Sequence, residues 1–255
     1  MIDPDSFEEF KDPETYDLVC DAFADDYPFI EQWAKTTGGP LLDLACGTGR
    51  MAIHMALKGY QVTGVDIVPE MIAKAKQKTA DRGASVEYVV SDARDFHLNK
   101  QFLLVFMLMN AFQFLLERED HEGMLACVRE HLQPDGYFLF ETRNPNPRML
   151  FEVRHPEGER YTTADGGQVT ITDQAYYDPM TQIQHYTVDY QFHYADGRHE
   201  ARTQHTSLRY VFPQEMESLL HYNGFRIHTV YGDWQLNPLT AAAPAMIYVC
   251  QKRTR

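Results

Sequence analysis

Apolar positions along the chain fall into short continuous runs separated by longer stretches with helical spacing. Leu41–Ala45 is apolar except for Asp43, the pattern of a strand covered on both faces of a parallel sheet. Met51–Lys58 follows as a helix, Gln61–Val65 as a second strand, a helix starts at Pro69, and Val86–Val90 makes a third strand. Phe102–Met109, apolar throughout, predicts a central fourth strand. A helix over Glu119–His131 and a turn at Gln133–Gly136 then lead to a fifth strand, Tyr137–Glu141. Upstream, Tyr16, Val19, Cys20 and Phe23, then Phe29, Ile30 and Trp33, predict two short helices between Asp12 and Lys35.

The period changes after about Arg148. Gln168–Tyr177, Gln184–Tyr194 and Arg202–Tyr210 alternate in polarity and are separated by Asp178-Pro179 and Asp196-Gly197, which reads as antiparallel strands joined by tight turns. The Asn144–Pro147 stretch before them is a proline-rich exit turn. Pro213–Asn223 returns to helical spacing and closes on Gly224, before the last strands Phe225–Tyr231 and Ala245–Gln251. The expected fold is α/β: a doubly wound, Rossmann-like seven-stranded sheet with an antiparallel last strand. Residues 1–147 and 211–255 form its core, with an N-terminal helical lid, and 148–210 form an inserted antiparallel β cap. At the carboxyl edge of the sheet such a cap can wall a substrate pocket or join two copies, so monomer and homodimer both stay open.

Composition narrows the partners. Of 255 residues, 23 are Lys or Arg and 37 are Asp or Glu, and a formal charge of −14 opposes a phosphate backbone, so no nucleic-acid partner is expected. The four cysteines are scattered and form no CxxC pair, which suits a reducing cytoplasm. MIDPDSFEEF lacks the basic start and apolar core of a signal peptide. Phe102–Leu116, broken by Asn110 and Gln113, is too short to span a bilayer as a helix, so no membrane partner is expected either. Eleven histidines include no HxxxH or HExxH spacing, and no metal is expected.

The candidate chemistry lies where strands end. Gly47 and Gly49 make a tight turn between the first strand and its helix, where a ligand can approach the main chain. Gly47-x-Gly49-x-x-Ala52 also satisfies the dinucleotide fingerprint, but a carboxylate at Asp43 suits a cationic ligand and repels a pyrophosphate. Asp66 and Asp92 close the next two strands in the same way, and Asp66 is placed to accept ribose hydroxyls.

The string D-L-A-C-G-T-G-R, Asp43–Arg50, resembles motif I of the class I S-adenosylmethionine-dependent methyltransferases. The resemblance implies that Asp43, Leu44, Ala45, Cys46, Gly47, Gly49 and Arg50 receive the methionine end of S-adenosylmethionine. It implies that Asp66 and Ile67 serve the ribose, Met71 the adenine ring, and Asp92 with Ala93 the adenine edge. Tyr16, in a Tyr-Asp pair, belongs to the lid, and Met109 and Asn110 lie where relatives reach the transferable methyl and the acceptor. Asn110 is the catalytic candidate, and Tyr27, Asn110, Arg209 and Tyr231 are the acceptor-side candidates. Leu103 departs from the family, which commonly has an acidic residue there.

The expected activity is in-line methyl transfer to an oxygen or nitrogen of a small molecule, leaving S-adenosylhomocysteine. An NAD(P)-dependent oxidoreductase and a non-catalytic S-adenosylmethionine-binding protein are the alternatives.

Overall fold

Two strands without an exposed residue, β1 (Leu41–Leu44) and β2 (Val62–Asp66), set the middle of the molecule. A segment buried on both faces needs neighbours in its own sheet and layers above and below. The neighbours are β3 (Glu87–Val90), β4 (Phe102–Met107), β5 (Leu132–Arg143), β10 (Phe225–Tyr231) and β11 (Ala245–Lys252), in the order β10-β11-β5-β4-β1-β2-β3. Strands β1 to β5 run parallel, while β11 lies antiparallel to both β5 and β10. The computed structural model describes residues 10–146, 150–151 and 158–253. The acidic start of the chain, Pro147 of the exit turn and Arg148 lie outside the described residues.

The chain leaves β1 in one direction toward β2 and β3 and later returns on the other side through β4 and β5. The crevice between β1 and β4 is therefore the switch point at which open α/β sheets bind ligands. Helices α2 (Tyr27–Thr37) and α3 (Arg50–Leu57) cover one face, packing Ile30, Met51 and Met55 on Leu104 and Phe106. On the other face α5 (Arg118–His131) and α6 (Pro213–Tyr222) enclose Phe112, Phe138, Phe140 and Phe225. Near the far edge, α4 (Pro69–Asp81) buries Met71, Ile72 and Ala75.

By contrast, α1 (Pro13–Cys20) buries none of its residues fully and is held by polar contacts. Lys78 of α4 reaches Asp17 at 3.0 Å and Asp21 at 2.6 Å, and the Thr48 hydroxyl donates to Asp17 at 2.6 Å.

A second, four-stranded antiparallel sheet runs β6 (Glu159–Thr162), β7 (Gln168–Asp178), β8 (Ile183–His193) and β9 (His199–Arg209). Arg202 of β9 pairs with Asp12 at the start of α1 at 2.6 Å. Gln113, fully buried, clamps the two sheets: its amide donates to the Arg209 carbonyl at 3.1 Å and accepts from the Arg143 amide at 2.9 Å.

Three elements differ from expectation. β6 has no counterpart in the sequence reading, because Glu159-Arg160-Tyr161-Thr162 contains no apolar run. β5 begins at Leu132, and its pairing with β4 passes from Leu132 directly to Tyr137, so Gln133–Gly136 bulges within the strand instead of preceding it. β4 stops at Met107 because Met109 and Asn110 take left-handed backbone angles, φ 56° and 58°. Among the described residues no helix is long and apolar enough to cross a membrane.

Candidate functional site

The turn after β1 is left-handed at Ala45, Gly47 and Gly49, with φ of 59°, 53° and 82°. Two hydrogen bonds hold it against the next strand: the Cys46 amide donates to the Val65 carbonyl at 3.0 Å and the Gly47 amide to Asp66 Oδ2 at 2.8 Å. Asp66 also accepts from the Val68 amide at 2.9 Å, so one carboxylate braces the glycine turn and the start of α4 together. A side chain at Gly47 would press on Tyr16 of α1, 3.3 Å from its hydroxyl. At Gly49 a Cβ would collide with the Tyr88 hydroxyl. The turn is closed from both sides and admits only glycine at these points.

A cavity of about 410 Å³ opens beside this turn. Of the residues singled out from sequence, Tyr16, Ala45, Gly47, Asp66, Ile67, Met71, Asp92, Ala93, Met109 and Asn110 line it. A recess of about 20 Å³ is lined by Asp43, Cys46 and Arg50 and shares Tyr16, Ala45 and Met109 with the cavity. That volume suits a group of the size of a water or an ammonium. Leu44 lines neither space, because its side chain faces the apolar core. Gly49 lines neither as well; it caps α3 and packs against Ala75 and Tyr88. Asp43 lies inside β1, not at its tip, and is 3% exposed.

Asp92 is not a bare strand-end carboxylate. It accepts from the Arg94 backbone at 2.9 Å and from its guanidinium at 2.7 Å, and Arg94 extends to Asp120 at 2.5 Å.

On the acceptor side, three of the four candidates lie away from the cavity. Tyr27 stacks on His54 at 3.9 Å between α2 and α3, because the half-buried ring finds an aromatic face there. Arg209 turns to the Leu116 carbonyl at 3.2 Å and to Glu215 at 2.9 Å, a pairing that takes it out of the cavity. Tyr231 packs its edge against Phe29 at 5.8 Å. Only Asn110 of that set lines the cavity.

The surrounding charge is lopsided. Arg50 forms a bidentate pair with the fully buried Asp26, donates to the Phe23 carbonyl at 2.8 Å, and lies over the Tyr27 ring at 5.2 Å. Burial lifts the Asp43 carboxyl to about 8, despite the opposing charge of Arg50. Asp66 is raised by burial, against the hydrogen bonds of Val68 and Gly47. Glu141, near the end of β5, is pushed to about 7 by burial and then by the charge of Asp26. It accepts from the Asn110 amide at 3.3 Å and so holds the left-handed Met109–Asn110 pair. Asp26, Asp43, Asp66 and Glu141 thus outnumber Arg50, and a cationic ligand would favour the ionised forms of the carboxyls that burial has raised.

Sequence reasoning missed Asp26, Glu141 and Arg143. The signal available for the last two was a pair of charges, Glu141 and Arg143, just after the apolar run Tyr137–Phe140.

Residues 41–136 match the family described as Methyltransferase domain. A putative methyltransferase of Bacillus subtilis is 26% identical over 232 residues, 87% of this chain and 90% of that protein. A ubiquinone biosynthesis O-methyltransferase of Pseudomonas syringae is 31% identical over 126 residues, 49% of this chain and 53% of that protein.

Among solved structures, an S-adenosylmethionine-dependent methyltransferase from Clostridium acetobutylicum superposes with a TM-score of 0.80 at 17% identity, covering 94% of this chain and 97% of the other. A sugar N-methyltransferase from Streptoalloteichus superposes at 0.73 with 20% identity, over 94% and 92%.

Proposed function

We propose that the chain is a class I S-adenosylmethionine-dependent methyltransferase that transfers the cofactor's methyl in line to an oxygen or nitrogen of a small molecule. The strongest support is the excess of buried carboxylate around the glycine turn, beside a cavity that also touches Asn110. S-adenosylmethionine, when bound, supplies an electrophilic methyl on a positively charged sulfur. The residues supply binding and alignment. Asp66 keeps lone pairs free for ribose hydroxyls while bracing the turn. Asp43 and Arg50 offer opposite charges to the amino-acid end, in the small recess. Met71 would pack on an adenine ring, and Asp92 and Ala93 would meet its edge. Tyr16 covers the turn from α1 and excludes water.

Alignment of two reactants can supply much of such a rate without a side-chain nucleophile. Glu141 fixes the Met109–Asn110 backbone, and Asn110 is placed to orient an acceptor by hydrogen bonding. The relatives named above include an oxygen and a nitrogen methyltransferase, and both acceptor types are kept. Calorimetry with S-adenosylhomocysteine and NAD, followed by mass spectrometry of an amine and phenol panel, tests the proposal. Binding of NAD but not of S-adenosylhomocysteine makes the chain an oxidoreductase instead. Cofactor binding with no methylated product from any acceptor favours the non-catalytic alternative.

The raised carboxyls make binding proton-linked. Asp43, at about 8, is mostly protonated in the free protein at neutral pH, and Glu141, at about 7, partly so. A cation beside them favours the ionised forms, so binding expels protons, and affinity rises with pH until these groups are ionised without the ligand. Titration of S-adenosylmethionine near pH 7, in buffers of different ionisation enthalpy, is expected to show release of about one proton. Affinity falling between about pH 6.5 and 8.5 would contradict the assignment of these groups.

A further inference from the structure

Among the described residues, five charged ones line the large cavity: Asp66, Asp92, Arg94, Asp120 and Arg143. Arg94 is neutralised by Asp92 and Asp120. Arg143 has no carboxylate partner among the described residues. Its guanidinium instead donates to the Tyr186 hydroxyl at 2.9 Å and lies 5.7 Å from the centre of that ring. The Tyr186 hydroxyl spends its own proton on Gln184 Oε1 at 2.6 Å, so toward Arg143 it can only accept. Gln184, 2% exposed, is in turn fixed by donation to the Leu150 carbonyl at 3.2 Å. On the main chain, the Arg143 amide is anchored by Gln113.

The second sheet thus meets the guanidinium with neutral tyrosine hydroxyls, those of Tyr186 and Tyr210, while Arg143 lines the cavity. An arginine removed from water without an anion is costly, and an arriving anion would offset that cost. In a chain of formal charge −14, an anionic ligand is repelled at long range and needs one such local counter-charge.

We propose that Arg143 is the receptor for a carboxylate on the methyl acceptor, an assignment that rests on the methyl-transfer reading. One planar guanidinium matches one planar carboxylate through two parallel hydrogen bonds. The aspartates in the same wall disfavour a dianionic phosphate. The acceptor is then a bifunctional small molecule, with its carboxylate on Arg143 and its amine or hydroxyl directed to Asn110.

The test separates the two readings. Affinity for S-adenosylhomocysteine is measured first, in the wild type, Arg143→Gln and Arg143→Lys, and is expected to be the same in all three, which also reports folding. Each protein, saturated with S-adenosylhomocysteine at constant ionic strength, is then titrated with 13C-labelled acetate and with 13C-labelled acetamide, reading the ligand line width by NMR. Wild type is expected to bind acetate saturably and acetamide not at all. Arg143→Gln should weaken acetate by about tenfold or more, and Arg143→Lys by less, because it keeps the charge and loses the fork.

Equal acetate binding by wild type and Arg143→Gln overturns the proposal, as does wild type that fails to distinguish acetate from acetamide or binds neither. Wild type that does not bind S-adenosylhomocysteine removes the cofactor reading, and this one with it.

Discussion

Alanine in place of Asp26 is expected to destabilise the protein by about 3–5 kcal/mol, the cost of stripping one partner from a buried ion pair. Asp26 is fully buried just before α2, and both its oxygens are taken by Arg50 at the start of α3. Without it, Arg50, 8% exposed, keeps a single carbonyl, that of Phe23, and two aromatic faces. The pair also ties α2 to the helix that carries the glycine turn, so the loss should spread into the site. For a chain of this length the midpoint of thermal unfolding should fall by on the order of 10 °C. Urea denaturation with an unchanged slope checks the value, and a loss below about 1 kcal/mol would mean that water reaches the guanidinium.

Asp66→Ala carries the largest expected effect on binding: affinity for S-adenosylhomocysteine should fall more than tenfold, a figure on the order of one lost charge-assisted hydrogen bond. The substitution removes the carboxylate proposed for the ribose and, with it, the acceptor for the Gly47 and Val68 amides. The turn after β1 then loses its brace to β2. Asp66→Asn separates these contributions, since its carbonyl can still accept from one amide while the charge is gone. Calorimetry is expected to rank the affinities wild type, Asn, Ala. Equal affinities for all three would place the ribose elsewhere.

Residues within one supersecondary unit were readable in advance, and those assembled across units were not. Asp43, Gly47 and Asp66 belong to one strand-turn-helix-strand run, so the spacing that forms the fold also brings them together around one turn. The two arginines at strand ends show the opposite case. Arg209 and Arg143 look alike in sequence, each closing a strand of mixed polarity. Arg209 finds Glu215 six residues on and leaves the cavity, whereas Arg143 finds a tyrosine from a different sheet and stays in it. Tyr27 and Tyr231 were drawn away in the same manner, by aromatic partners on other elements. Glu141 escaped notice because its role depends on two left-handed residues after β4, where neither Met109 nor Asn110 is glycine.

By itself, the sequence determined the order of strands and helices, the glycine turn and its carboxylates, and the antiparallel β-rich insertion, because periodicity and turn chemistry act over a few residues. Tertiary structure alone decided which charges remain unpaired, which carboxyls are lifted by burial, and which side chains face the cavity. Those properties depend on solvent exclusion and on partners tens of residues away, such as Arg50 with Asp26 and Arg143 with Tyr186.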